Sequence, residues 1–180
     1  FFDKVLDIKQ CHLQPEPSNK IRLFAKEYAA AHGLEFFDIR ENKGFVRNMF
    51  VRTTESGEVM VIMCFFHEDR KVREGMLDAM VEAFPEITSL YYVINTKLND
   101  SINDQECILY KGSDAIYESM EGLRFRIGPK SFYQTNSQQA ERLYEVARDF
   151  AGLKGDELVY DLYTGPGTIA QFVARRARKV

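Results

Sequence analysis

The 180 residues are 45% apolar and 28% charged, enough for one large domain or for a small domain with part of another. A net charge of −3 argues against a protein that coats nucleic acid by charge alone, since nonspecific phosphate binding needs a concentrated Lys/Arg surface. Three cysteines without a pairing pattern point to a reducing, cytoplasmic setting, and no apolar run approaches the roughly 18 residues that span a membrane.

Residues 1–8 lack the basic start and apolar core of a signal peptide, carry no initiator Met and read as a strand. Both ends of the chain read as cuts, so an internal segment of a longer protein is expected. Pro15-Glu16-Pro17-Ser18 closes the first strand, and Ser18 is the expected N-cap of a helix over 19–32, with Ile21, Phe24, Ala25 and Tyr28 at helical spacing and Gly33 as its stop. A strand is expected over 34–39. Residues 45–53 and 58–66 form the clearest hairpin, turned at Glu55-Ser56-Gly57. Its second arm is apolar on both faces and should lie centrally in a sheet.

Residues 69–84 have the pattern of an amphipathic helix ended by Pro85, and 89–94 that of a buried strand. A polar loop over 97–105 leads to short strands at 108–110, 115–117 and 123–127. This order describes a mixed α+β domain over residues 1–127. Past Gly128-Pro129 the pattern changes. A helix over 137–151 carries Leu143, Val146, Ala147 and Phe150 on one face and closes at Gly152, and residues 157–160 read as a buried parallel strand.

That strand runs into Asp161-Leu162-Tyr163-Thr164-Gly165-Pro166-Gly167-Thr168-Ile169-Ala170 and then a helix. Gly165, Gly167 and Ala170 fit the G-x-G-x-x-G/A spacing of a loop that a nucleotide-like ligand approaches closely, with Asp161 at the strand end to orient polar groups. A plain tight turn is the bland alternative. Dinucleotides and S-adenosylmethionine compete as ligands. The acidic residue that would mark a dinucleotide falls about 20 residues on, beyond Val180, so spacing leaves both open.

Other constellations read as structural. Cys64 lies in an apolar strand, Cys107 has no basic neighbour, and Cys11 and His12 point to opposite faces of a strand. Cys64 and His67 likewise face apart, which disfavours zinc on Cys11, His12, Cys64 and His67, so no metal is expected. Arg175, Arg176, Arg178 and Lys179 read as a solvated helix side. Arg47, Asn48 and Arg52 form a basic strand edge that could touch a phosphate, with surface charge as the simpler reading.

Phe132-Tyr133-Gln134-Thr135-Asn136, followed by a helix and the glycine loop, resembles the F-x-Q-x-N and D-L-[FY]-[CTS]-G-x-G-[NT] segments of RNA (uracil-C5) methyltransferases, which make 5-methyluridine in ribosomal and transfer RNA. Asp7-Ile8-Lys9-Gln10-Cys11 and Gly44-Phe45-Val46-Arg47-Asn48-Met49 resemble upstream parts of that family less specifically. The resemblance implies an α+β central domain followed by the truncated start of a Rossmann-like α/β SAM-dependent methyltransferase domain, residues 128–180.

It also implies S-adenosylmethionine as cofactor and RNA as partner. Gln134, Tyr163 and Thr168 match cofactor-contacting positions, joined by Asp161, Gly165 and Gly167 of the loop, while Phe132 and Asn136 match the remaining fixed motif positions. Thr164 stands where many relatives have Cys, and Thr168 where many have Asn.

In the family's chemistry a thiolate adds to C6 of uracil, C5 attacks the methyl group, and a base removes the C5 proton. Both groups are expected beyond Val180, so no catalytic residue and no turnover are expected from these 180 residues. Cys11 resembles the last of four cluster-binding cysteines in some members; alone it holds no iron–sulfur cluster. A half-built Rossmann sheet is expected to pair with another copy through its open edge. The competing functions are a non-catalytic α+β RNA-binding or interaction module and a dinucleotide-dependent oxidoreductase.

Overall fold

The computed structural model describes residues 6–180, which divide into two compact units. The first ends at Asp114 and leaves out Thr54–Gly57, which belongs with Ala115–Val180 in the second.

The first unit is built on α1 (Glu16–Ala31), β1 (Val46–Thr53), β2 (Val59–Phe65), α2 (Arg70–Ala83), β3 (Ile87–Ile94) and β4 (Ile108–Gly112). The strands lie in the order β1-β2-β3-β4; β2 runs antiparallel to β1 and parallel to β3, and β4 is antiparallel to β3. Every residue of β2 is buried, as its unbroken apolar run requires of a central strand. Val59, Val61, Met63 and Phe65 share one core with Ile21, Ala25 and Ala29 of α1 and Met76, Leu77 and Met80 of α2. Met60, Ile62 and Cys64 are equally enclosed on the opposite face. Asp69 caps α2 by accepting a hydrogen bond from the Val72 amide at 3.1 Å.

Three sequence expectations are corrected here. Helix α1 begins at Glu16, and Ser18 is buried within it. Pro15 takes the N-cap position in extended conformation, and proline is tolerated in the first turn because those amides have no helical partner. Residues 34–39 form no strand; Phe36 and Asp38 make only isolated bridges. Of the first expected strand, residues 1–5 lie outside the described residues, and 6–14 are not extended into a sheet. Asn19 clamps that segment instead, accepting from the Cys11 amide at 2.9 Å and donating to its carbonyl at 3.2 Å.

The second unit contains the antiparallel hairpin β5 (Ile116–Met120) and β6 (Leu123–Ile127), then α3 (Ser137–Ala151) and α4 (Thr168–Ala174). Met120 and Phe125 of the hairpin cluster with Ala140 and Tyr144 of α3 and Phe172 of α4. This shared core places β5 and β6 in the second unit, so the compact units meet at Asp114/Ala115, upstream of the expected Gly128-Pro129 boundary. Arg148 reinforces the packing with a two-pronged ion pair to Glu121 at 2.5 and 2.8 Å, its guanidinium 4.5 Å from the Phe172 ring centre.

The buried face of α3 is that of Ala140 and Tyr144, whereas Leu143, Val146 and Phe150 are exposed. Helical periodicity located an apolar stripe, but the hairpin and α4 pack against the neighbouring face.

Candidate functional site

The glycine loop is a self-supporting turn. Asp161 accepts hydrogen bonds from the Thr164 hydroxyl at 2.9 Å and from the Ala170 amide at 3.0 Å, which ties the end of the extended segment to the first turn of α4. Gly165 and Gly167 both adopt left-handed backbone (φ 54° and 76°), a conformation that costs an L side chain about 1–2 kcal/mol. A Cβ on Gly165 would meet no atom within 4 Å, so the loop surface there is open. Tyr163 is also left-handed (φ 61°) and fully exposed. Positive φ in a non-glycine residue is uncommon, and it clusters at ligand-binding turns.

Segments on either side of the loop pair in parallel. Leu158 bridges Lys179, with the Val159 amide donating to the Lys179 carbonyl at 2.9 Å and the Arg178 amide to the Glu157 carbonyl at 3.0 Å. The order is therefore extended segment, glycine loop, helix, parallel extended segment. The pairing is a single bridge, and Leu158 and Tyr160 are 47% and 77% exposed, so the buried strand expected over 157–160 is not formed. One short neighbour leaves the Leu158 and Tyr160 face open, while Val159 is half-buried. The basic run likewise lies past the end of α4, with Arg178 and Lys179 in the bridge and Arg176 paired to Asp149 at 2.9 Å.

Beside the loop lies a cavity of about 590 Å3, lined by Tyr160, Asp161, Thr164, Ala170 and Gln171 among others. Its volume is in the range of small-molecule sites. The Phe132–Asn136 motif belongs to the same unit. Tyr133 packs into the cluster that also holds Phe172, one turn along α4 from Thr168. Asn136 is the N-cap of α3, accepting from the Gln139 amide at 3.0 Å, which explains an amide side chain at that motif position. Gln134 is exposed and makes no hydrogen bond among the described residues. Thr168 opens α4 and is buried, so it offers the least surface of the six candidate cofactor residues.

Other candidates are placed differently. The Arg47 side chain is only 1% exposed and donates to the carbonyls of Asn95, Lys97 and Asn99 and to the Asp100 carboxylate, with its guanidinium 4.2 Å from the Phe37 ring centre. It organises the 95–100 loop and is not available to a phosphate. Arg52 is half-buried, and burial lowers its pKa. Burial pushes the Cys64 thiol up to about 12, which makes it a poor nucleophile, as its apolar strand implies. No group of three or more His, Cys, Asp or Glu side chains suited to a metal occurs among the described residues, and no helix there is long and apolar enough to cross a membrane.

A residue missed by sequence reasoning is Glu118. It occupies an inward position of β5 between Ile116 and Met120 and is 1% exposed. The signal was present in the alternation of the strand, where a carboxylate takes the place of a core residue.

An extended segment, a left-handed glycine turn closed by an aspartate, and a helix returning to a parallel neighbour make up a short α/β unit. No protein-family model matches the sequence. Over 99% of its length the chain is 59% identical to an uncharacterized RNA methyltransferase of Porphyromonas gingivalis and 54% identical to one of Bacteroides thetaiotaomicron. It spans 39% and 40% of those two proteins. The crystal structure of the tRNA (uracil-54, C5)-methyltransferase of Pyrococcus abyssi, in complex with S-adenosyl-L-homocysteine, superposes with a TM-score of 0.75 at 25% identity, over 97% of this chain and 42% of that one. The chain is thus a homologue of RNA methyltransferases with a mixed α/β fold, and the resemblance read from its motifs is borne out.

Proposed function

We propose that this chain is the central domain and the opening of the catalytic domain of an S-adenosylmethionine-dependent enzyme that methylates carbon 5 of uridine in ribosomal or transfer RNA. The observation that carries the reading is the Asp161-closed glycine loop, open at Gly165, in a chain whose fold superposes on a uracil-C5 methyltransferase solved with S-adenosylhomocysteine.

The residues present fit such a cofactor. Gly165 leaves space for close approach, Tyr163 presents a whole aromatic ring, and Gln134 exposes an amide that can both donate and accept. Gly167 turns the chain into α4, and Asp161 keeps the loop in register by spending one carboxylate oxygen on the turn. When bound, the cofactor would supply an electrophilic methyl group. Burial excludes Cys64 as a nucleophile. The proposal therefore assigns cofactor binding, and no bond-making role, to these residues.

Two measurements test it. Titration calorimetry of the full-length protein with S-adenosylhomocysteine should give saturable binding that Asp161→Ala weakens. Nucleoside mass spectrometry of ribosomal and transfer RNA from cells with and without the gene should show loss of 5-methyluridine from one class. Unchanged 5-methyluridine in both, with no binding, would reject the proposal.

A further inference from the structure

Glu118 is a fully enclosed carboxylate in a unit whose other core residues are mainly apolar. Its two oxygens accept three hydrogen bonds: from the Glu55 amide at 3.1 Å, from the Ser119 amide at 3.0 Å and from the Ser137 hydroxyl at 2.8 Å. Among the described residues no ion pair accompanies it, and these donors stabilise the buried group. A carboxylate is acceptor-only, which suits a site where every neighbour donates.

The donors come from three places in the second unit: the turn Thr54–Gly57, β5 itself and the first residue of α3. Ser137 follows directly on the Phe132–Asn136 motif. Within that motif the Asn136 side chain is occupied in capping α3, and the Tyr133 hydroxyl is enclosed without a hydrogen-bond partner among the described residues. Burial, and secondarily the Glu118 charge, raise the Tyr133 pKa, which keeps it neutral beside the carboxylate. Tyr133 therefore packs but does not tether. The polar tether at the end of the motif is the bond from Ser137 to Glu118.

We propose that Glu118 is a positioning residue of the cofactor site: through Ser137 it fixes the 132–136 stretch and so the direction in which Gln134 is presented. This rests on the proposed role of Gln134 in holding S-adenosylmethionine. Glu118 touches neither cofactor nor substrate in this scheme. An isosteric amide would set a donor against the Glu55 or the Ser119 amide, displacing the group that Ser137 holds while leaving the apolar cluster of Met120, Phe125, Tyr144 and Phe172 intact.

The test is calorimetric titration of S-adenosylhomocysteine into the full-length protein carrying Glu118→Gln, Ser137→Ala or Ser137→Thr. Melting temperature and amide exchange are followed in parallel. Glu118→Gln is expected to weaken binding by about tenfold, the loss of one hydrogen bond to a charged group, and Ser137→Ala by less. Ser137→Thr, which keeps the hydroxyl, should restore most of the affinity. Exchange should quicken across 132–137 while that of β2 stays as in the wild type. Wild-type affinity in both Glu118→Gln and Ser137→Ala overturns the proposal, as does a Ser137→Thr protein no better than Ser137→Ala. A loss of affinity that only tracks global unfolding gives Glu118 a purely structural role and also overturns it. A wild-type protein that binds no S-adenosylhomocysteine removes the function proposed above as well, so the two failures are distinguishable.

Discussion

The two units solve the problem of burying apolar residues differently. In the first, β2 is enclosed along its whole length, and alternate residues serve two separate faces of one sheet. In the second, the shared core is small, and Leu143, Val146, Phe150, Leu162 and Tyr163 remain largely exposed. Exposed apolar residues contribute little to folding, so stability should concentrate in the first unit. In the second unit, polar contacts at Asp161 and Glu118 hold the segments that carry residues proposed to meet a ligand. Regions that bind are commonly drawn from the less stable part of a molecule.

The largest effect is expected at the centre of the first sheet. Phe65→Ala should cost about 3–5 kcal/mol, read from denaturant unfolding followed by a probe in the first unit, because a fully buried ring leaves a cavity. A cost below about 1 kcal/mol would break the contrast between the units. Next comes the glycine loop. Gly165→Ala should destabilise the second unit by about 1–2 kcal/mol through its left-handed backbone alone, since the added methyl has open space. Faster amide exchange across 157–170 with no change in β2 would confirm that the strain is local.

A pH dependence sharpens the comparison further. The Cys64 pKa is raised by burial from 9.0 to about 12, so the neutral thiol is favoured in the folded state. Its stabilising contribution is complete below pH 9 and is lost as pH rises toward 12. Cys64 should therefore resist alkylation at pH 8 and react only when the first unit opens; modification of the native protein at the rate of a free thiol would contradict its enclosure. The smallest effect is expected at Phe150, which is 89% exposed: Phe150→Ala should change stability by no more than about 0.5 kcal/mol. A larger loss would show that something covers that face.

Some of this architecture was written in local pattern. The uninterrupted apolar run from Val59 to Phe65 demands a central strand, Asp69 three residues before Val72 is a side-chain cap, and Asn136 before Ser137 is another. Such signals act within a few residues and so survive without knowledge of the fold. Ser18 misled because two prolines compete with it for the start of α1, and a proline at the second helical position sacrifices no hydrogen bond. The α3 stripe misled because periodicity reports which residues share a face, and packing partners decide which face is covered.

By itself the sequence determined the hairpin, both helices that flank the first sheet, the left-handed glycine loop and the motif at Phe132–Asn136, along with the resemblance those motifs carry. Each is set by backbone conformational preference or by spacing along one element. Only the tertiary structure decided that Arg47 is consumed by the 95–100 loop, that β5 and β6 belong with α3 and α4, and that Glu118 joins the Thr54–Gly57 turn to the first residue of α3. Those outcomes depend on which distant donors and apolar faces meet. A buried Arg or Glu is tolerable only where such partners converge, and sequence spacing carries no record of that convergence.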